Sequence, residues 1–110
     1  MGGSVLSEVV LLTGATGFLG TQIARRLLAE TDQAIIALVR AASPEAARQR
    51  ASRAWWDWPD LVKEIGGRIQ VVRGDVAEPC LGLAEPDHAD LVRRVTRIVH
   101  AAADLRLDGP

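Results

Sequence analysis

Eight residues near the N-terminus, Thr13-Gly14-Ala15-Thr16-Gly17-Phe18-Leu19-Gly20, carry the clearest chemical signal in the 110-residue sequence. Their glycines follow a G-x-x-G-x-x-G spacing between an aliphatic run and an amphipathic stretch. In that setting the first glycine permits a tight turn, and the second lets backbone approach a pyrophosphate. The third lets a helix pack closely on the preceding strand. Free amides at the helix start, together with the positive end of the helix dipole, make an anion site there. The same glycines would also serve a bare strand-to-helix turn, but strand, turn and helix all fall where the phosphate-binding motif requires them.

A second position extends this chemistry. Chains that bind NAD place an acidic residue about twenty positions beyond the glycines, at the end of the next strand, to accept from the ribose 2′-hydroxyl. In this sequence the position is Arg40. A guanidinium has no complement in a bare ribose, whereas a 2′-phosphate takes a charge-assisted, bidentate contact from it. The expected cofactor is therefore NADP.

Other chemistries lack their residues. Cys80 is the only cysteine, which excludes an internal disulfide and a cysteine-rich zinc site. Neither a metal-ligand cluster nor a nucleophile-base pair stands out, so the expectation is no metal and no catalytic residue within these positions. Thirteen basic against fourteen acidic side chains give a net charge of −1, which argues against a nucleic-acid partner. No apolar run reaches the ~20 residues of a membrane span, and the expected location is cytoplasmic. Lys63 is the only lysine beside twelve arginines, and there is no tyrosine.

The elements that must position these residues can be read in order. Val9-Val10-Leu11-Leu12-Thr13 has the composition of a parallel strand covered on both faces. A glycine turn over 14–20 leads into a helix over Thr21 to Glu30, with Ile23, Ala24, Leu27 and Leu28 inward. Ala34 to Val39 is a second buried strand. Ser43, Pro44 and Glu45 form a helix start with cap, ring and acidic first turn, and the helix is expected to run to about Trp56. A short segment with Leu61, Val62 and Ile65 stops at Gly66-Gly67. A third strand over Ile69 to Val72 closes at Gly74-Asp75. A loop through Pro79 and Gly82, a helix over about Pro86 to Val95 and a fourth strand over Arg97 to His100 complete the alternation. The Trp55, Trp56, Trp58 cluster is read as core packing before acyl channel or interface. Cys80 is read as a small buried or loop hydrophobe, His88 as an exposed helix residue and His100 as packed or hydrogen-bonded structure.

With these residues placed, the sequence resembles the extended short-chain dehydrogenase/reductase superfamily, whose first turn typically reads T-G-A-T-G-F-L-G. Leu38-Val39-Arg40, Gly74-Asp75-Val76 and Ile98-Val99-His100-Ala101-Ala102-Ala103 match in register, so the likeness covers nearly all of the chain from Val9. Leu38-Val39-Arg40-Ala41 with Ala47-Arg48-Gln49-Arg50, and Gly74-Asp75 with Pro79 and Leu81-Gly82-Leu83, look like terminal domains of thioester and carboxylic acid reductases. The closing Ala102 to Pro110 stretch is similar to the fatty acyl-CoA reductase, or male sterility, pattern, although Leu107 stands where phenylalanine is common.

The resemblance implies an α/β fold with a Rossmann-type, doubly wound parallel sheet in strand order 3-2-1-4, residues 1–110 forming a single NAD(P)-binding domain. It implies a part in the NADP-dependent reduction of an acyl thioester, on coenzyme A or a carrier protein, to aldehyde or alcohol. The expected cofactor contacts are Gly14, Thr16, Gly17, Phe18, Leu19 and Gly20 in the turn, Arg40 and Arg50 at the 2′-phosphate, and Asp75 and Val76 beside the adenine. Ala101, Ala102 and Ala103 are expected to run close to the ribose and diphosphate. Arg48 lies well around the helix from Arg50. An enzyme acting on nucleotide sugars and a non-catalytic dinucleotide-binding module remain alternatives.

In the superfamily a Tyr-x-x-x-Lys pair and a Ser or Thr move the proton, and these groups follow a fifth strand. The chain is accordingly read as truncated on its C-terminal side and inactive alone. Its fourth strand is expected to carry an open edge that associates with the rest of a longer chain or with a second copy.

Overall fold

A computed structural model describes residues 8–101. Its four strands are β1 (Val9–Thr13), β2 (Ala34–Val39), β3 (Ile69–Arg73) and β4 (Arg97–His100). They form one sheet in the order β3-β2-β1-β4, with every neighbouring pair parallel. The helices are α1 (Phe18–Glu30), α2 (Pro44–Ala54), α3 (Pro59–Val62) and α4 (Glu85–Arg94), with a 3₁₀ turn at Pro79–Gly82. The chain winds outward from β1 to β3 and returns to the other side of β1. The order therefore reverses at β1, whose carboxyl end carries the glycine turn, the place where open α/β sheets bind ligands.

Strand pleating explains how both faces become buried. Val10 and Leu12 of β1, with Ile35, Ala37 and Val39 of β2, face a core closed by Ala24 and Leu27 of α1, Ala47 and Ala51 of α2, Trp55 and Leu61. Leu11, Ile36 and Leu38 point the other way, onto Leu91 of α4. The alternation sends successive side chains to opposite layers, which is why these strands read as unbroken aliphatic runs.

The ends of α1 are finished unequally. At its carboxyl end the Thr31 hydroxyl donates to Leu27 O at 2.7 Å. The Arg68 guanidinium donates to the carbonyls of Leu27, Leu28, Thr31 and Gln33. A cation there also complements the negative end of the helix dipole. The amino end has no side-chain cap.

Several boundaries differ from the sequence reading. Helix α1 starts at Phe18 instead of Thr21, because Gly17 is extended (φ −80°, ψ 177°) and serves as N-cap, so Phe18, Leu19 and Gly20 belong to the first helical turn. Helix α2 ends at Ala54 and leaves Trp55 as its C-cap. Cys80 is exposed, with φ of 53°, so it is a loop residue and not a packed one. His88 is half-buried rather than exposed, on the same helix as buried Leu91. The tryptophans divide: Trp55 is fully buried, Trp58 half-buried under Arg25, and Trp56 is 74% exposed. Gly66 takes the left-handed conformation expected of the stop before β3 (φ 92°). Among the described residues β4 has no second neighbour, and Ile98 is 65% exposed. No helix there is long and apolar enough to cross a membrane.

Candidate functional site

The glycine turn is built from three glycines with three different reasons. Gly14 has φ of 67°, a conformation that L side chains rarely adopt, and its carbonyl accepts from Gly17 N at 3.1 Å. A Cβ on Gly20 would lie 1.9 Å from Gly14 O, so the third glycine is fixed by the packing of α1 on the turn. Gly17 differs from both. Its backbone is ordinary, and a Cβ there would meet only Gly14 O at 3.5 Å, a normal contact. Neither conformation nor neighbours demand glycine at this exposed position. The open space over Gly17 and the amides of Phe18, Leu19 and Gly20 beside it have the shape and charge that suit an anion.

Beside the turn runs a groove of about 260 Å³, lined by Gly14, Thr16, Leu38, Val39, Arg40, Arg50, Gly74, Asp75 and Val76. Parallel β1, β2 and β3 bring their carboxyl ends to one edge, so residues up to 62 positions apart (from Gly14 to Val76) share one wall. Arg50 Nη1 donates to the Arg40 carbonyl at 3.1 Å, which holds the Arg50 guanidinium beside Arg40, and both residues line the groove. Neither forms an ion pair among the described residues. Arg73 Nε donates to Ala41 O at 2.9 Å and braces the segment leaving β2. Arg48 lines a separate groove together with Arg94, as its place around α2 requires.

The third strand closes against this rim. Gly74 N donates to Val39 O at 3.0 Å, and a Cβ on Gly74 would come within 2.5 Å of the Leu38 side chain. One Asp75 carboxylate oxygen accepts from Ala77 N at 2.9 Å, an Asx turn that fixes the loop. Asp75 thus serves its own loop while lining the groove, and Val76 lies exposed next to it. Ala101 is buried and donates its N–H to Thr13 O at 3.1 Å, carrying the β4 ladder one residue further. Thr13 Oγ1 and His100 Nδ1 lie 2.6 Å apart, so His100 is hydrogen-bonded structure at the end of the sheet.

The structure therefore brings Gly14, Thr16, Arg40, Arg50, Asp75 and Val76 into one groove, with Gly17, Phe18, Leu19 and Gly20 at the helix start beside it. Ala102 and Ala103 lie outside the described residues. Sequence reasoning missed Gly74 as a packing contact of the groove and Trp55 as a support of the turn. The Trp55 indole Nε1 donates to Ala15 O at 3.3 Å and to Thr21 Oγ1 at 3.1 Å. The available signal was the stripe Ala47, Ala51, Trp55, spaced one helical turn apart.

Comparisons with known proteins identify the family and the fold. The model of an NAD-binding family described as male sterility protein matches residues 12–110. An isonitrile lipopeptide synthase of Mycobacterium tuberculosis is 44% identical over 103 residues, covering 87% of this chain and 4% of that protein. The L-2-aminoadipate reductase large subunit of Penicillium chrysogenum is 38% identical over 99 residues, covering 86% and 7%. The crystal structure of a reductase domain of a non-ribosomal peptide synthetase from Mycobacterium tuberculosis superposes with a TM-score of 0.77 at 43% identity, covering 88% of this chain and 24% of that one. The chain thus spans less than a tenth of either relative and about a quarter of the solved domain.

Proposed function

The chain belongs to the male sterility protein family of NAD-binding domains, and from that premise we propose that it is the NADP(H)-binding part of a reductase acting on an acyl thioester. The acyl group arrives on coenzyme A or on a carrier protein and leaves as aldehyde or alcohol. The observation that carries this reading is one rim holding the uncapped start of α1 and two arginines that have no acidic partner among the described residues. The amides of Phe18, Leu19 and Gly20 hold the pyrophosphate over the bare Gly17. Arg40 and Arg50 take the 2′-phosphate, and Asp75 with Val76 borders the adenine. Ala101 to Ala103 keep side-chain bulk away from the ribose. When bound, the cofactor supplies hydride, and the chain's own residues bind it, orient it and set its identity. Two relatives named as reductases support the thioester reading over nucleotide sugars.

One observation favours a second reading, a dinucleotide-binding module without catalysis of its own: the sequence has no tyrosine to act as proton donor. Two measurements decide. Calorimetric titration should give tighter binding of NADPH than NADH, and Arg40→Asp should weaken NADPH about tenfold more than NADH, the scale of one charge-assisted contact. Equal losses would remove Arg40 from the 2′-phosphate site. Incubation with NADPH and an acyl-CoA should give no oxidation above a Gly17→Val control. Turnover above it would show that these residues complete the proton transfer by another route.

A further inference from the structure

A dinucleotide with a 2′-phosphate must touch two parts of this chain at once, the turn after β1 and the arginines at the end of β2 and on α2. Arg40 is placed by the pairing of β2 on β1, whereas the distance of Arg50 from the turn is set by how α2 sits beside it. Helix α2 packs on the sheet through the methyl groups of Ala47 and Ala51, both fully buried. Contacts of that kind have no direction and do not by themselves fix a helix along its axis. Its amino end is tied within its own segment, by the Ser43 cap and by Arg50 on the Arg40 carbonyl. Among the described residues, the only hydrogen bonds from α2 or its caps to the β1-turn-α1 unit come from Trp55.

Those bonds form a closed set. The indole N–H is shared between Ala15 O and Thr21 Oγ1, and the Thr21 hydroxyl donates to Ala15 O at 3.3 Å. Trp55 and Ala15 are almost completely buried, and Thr21 is 6% exposed. Ala15 lies between Gly14 and Thr16 in the turn, and Thr21 lies one residue beyond Gly20 on α1. The indole therefore holds the turn and α1 together from beneath. Five residues back along α2, Arg50 reaches the groove.

We infer that the Trp55 indole N–H sets the register between the pyrophosphate-binding turn and Arg50 of α2, which makes Trp55 a positioning residue for NADPH over NADH. The inference rests on the functional reading above. NADH uses the turn and the Asp75–Val76 loop but no residue of α2, so a shifted α2 costs it little. NADPH also needs Arg50 at a fixed separation from the turn, so the same shift weakens that extra contact. A role confined to core packing makes a different prediction, in which both cofactors lose affinity together.

The test titrates NADPH and NADH into the wild-type chain, Trp55→Phe, Thr21→Val and a Trp56→Phe control, with circular dichroism checking the fold. Trp55→Phe keeps an aromatic ring but removes the N–H together with part of the buried indole, and should lower the NADPH-to-NADH affinity ratio about tenfold through NADPH alone. Thr21→Val keeps the shape of the side chain, leaves Ala15 O to the indole, and should lower the ratio about threefold. It decides the matter if Trp55→Phe fails to fold. The exposed Trp56→Phe should leave the ratio unchanged, and a fall there equal to that of Trp55→Phe overturns the inference. So does an unchanged ratio in both turn-side variants, or an equal loss for both cofactors. A wild-type chain that binds neither cofactor sinks the functional reading and this inference with it, whereas NADPH preference that survives both variants sinks the inference alone.

Discussion

Helices α1 and α2 both begin at the carboxyl edge of the same sheet, yet their first turns are finished in opposite ways. In α2 the Ser43 hydroxyl accepts from Ala46 N at 3.1 Å, Pro44 occupies the first turn where an amide would be idle, and Glu45 faces the positive dipole end. In α1 the N-cap is Gly17, no side chain accepts from the first amides, and the first turn has no acidic residue. A capped helix has settled its own amides and dipole. An uncapped one, buried at Gly20 and exposed at Gly17, leaves both without a side-chain partner, as the proposed pyrophosphate seat requires. The contrast separates a helix start that serves folding from one proposed to serve binding, although the two lie on neighbouring connections of one motif.

The largest expected effect breaks the α1 side outright. Gly20→Ala puts a Cβ within 1.9 Å of Gly14 O and 2.8 Å of Ala15 Cα, contacts that only backbone movement relieves. The expected cost is about 3 kcal/mol or more, a large part of the stability of a small domain. Denaturant melts should find the variant mostly unfolded or sharply weakened. Retained stability would show that the turn is looser than its packing implies.

Gly17→Asp reverses the contrast without that clash. The position is already extended and has room, so the carboxylate can cap α1 and add a few tenths of a kcal/mol. It also occupies the anion site with a like charge, and NADPH affinity should fall about a hundredfold. A variant that melts at or slightly above the wild-type temperature but no longer binds sharpens the comparison. One that still binds breaks it.

The two neighbours of β1 allow a milder test. Strand β2 is buried along nearly its whole length, whereas β4 is exposed at Arg97, Ile98 and His100. Ile98 is the more exposed of the two aliphatic residues, since Val99 packs against the main core. The chain should associate through this edge at high concentration, and Ile98→Lys should shift it toward monomer in light scattering. A monomer at every concentration, with or without the lysine, would show the edge to be protected.

The smallest effect lies on the capped side. Ser43→Ala should cost about 1 kcal/mol in urea unfolding and leave NADPH affinity unchanged. Loss of affinity there would mean that the two helix starts are not independent.

How far the sequence anticipated this follows from where each signal resides. The strand order was legible because β1 and β2 are aliphatic runs that need cover on both faces, and because a resemblance over nearly all of the chain from Val9 named the topology. Ser43-Pro44-Glu45 was legible because its chemistry is local. The start of α1 was not, since it depends on the backbone angle of Gly17 and on no side chain. The three tryptophans could not be separated without knowing that α2 stops at Ala54, which places Trp55 inward and Trp56 outward. Arg68 closes the far end of α1 from 37 residues beyond Thr31, a pairing that no local pattern announces. The left-handed angles at Cys80 and Leu81 are equally silent, because neither residue type favours them.

The central claim, that the open start of α1 is the pyrophosphate seat, is tested most directly by amide chemical shifts in ¹H–¹⁵N spectra during titration with NADPH. The account predicts the largest shifts at Phe18, Leu19 and Gly20, with Ala46 in the capped first turn of α2 unmoved. Equal movement at Ala46, or shifts that bypass residues 18–20, would contradict it.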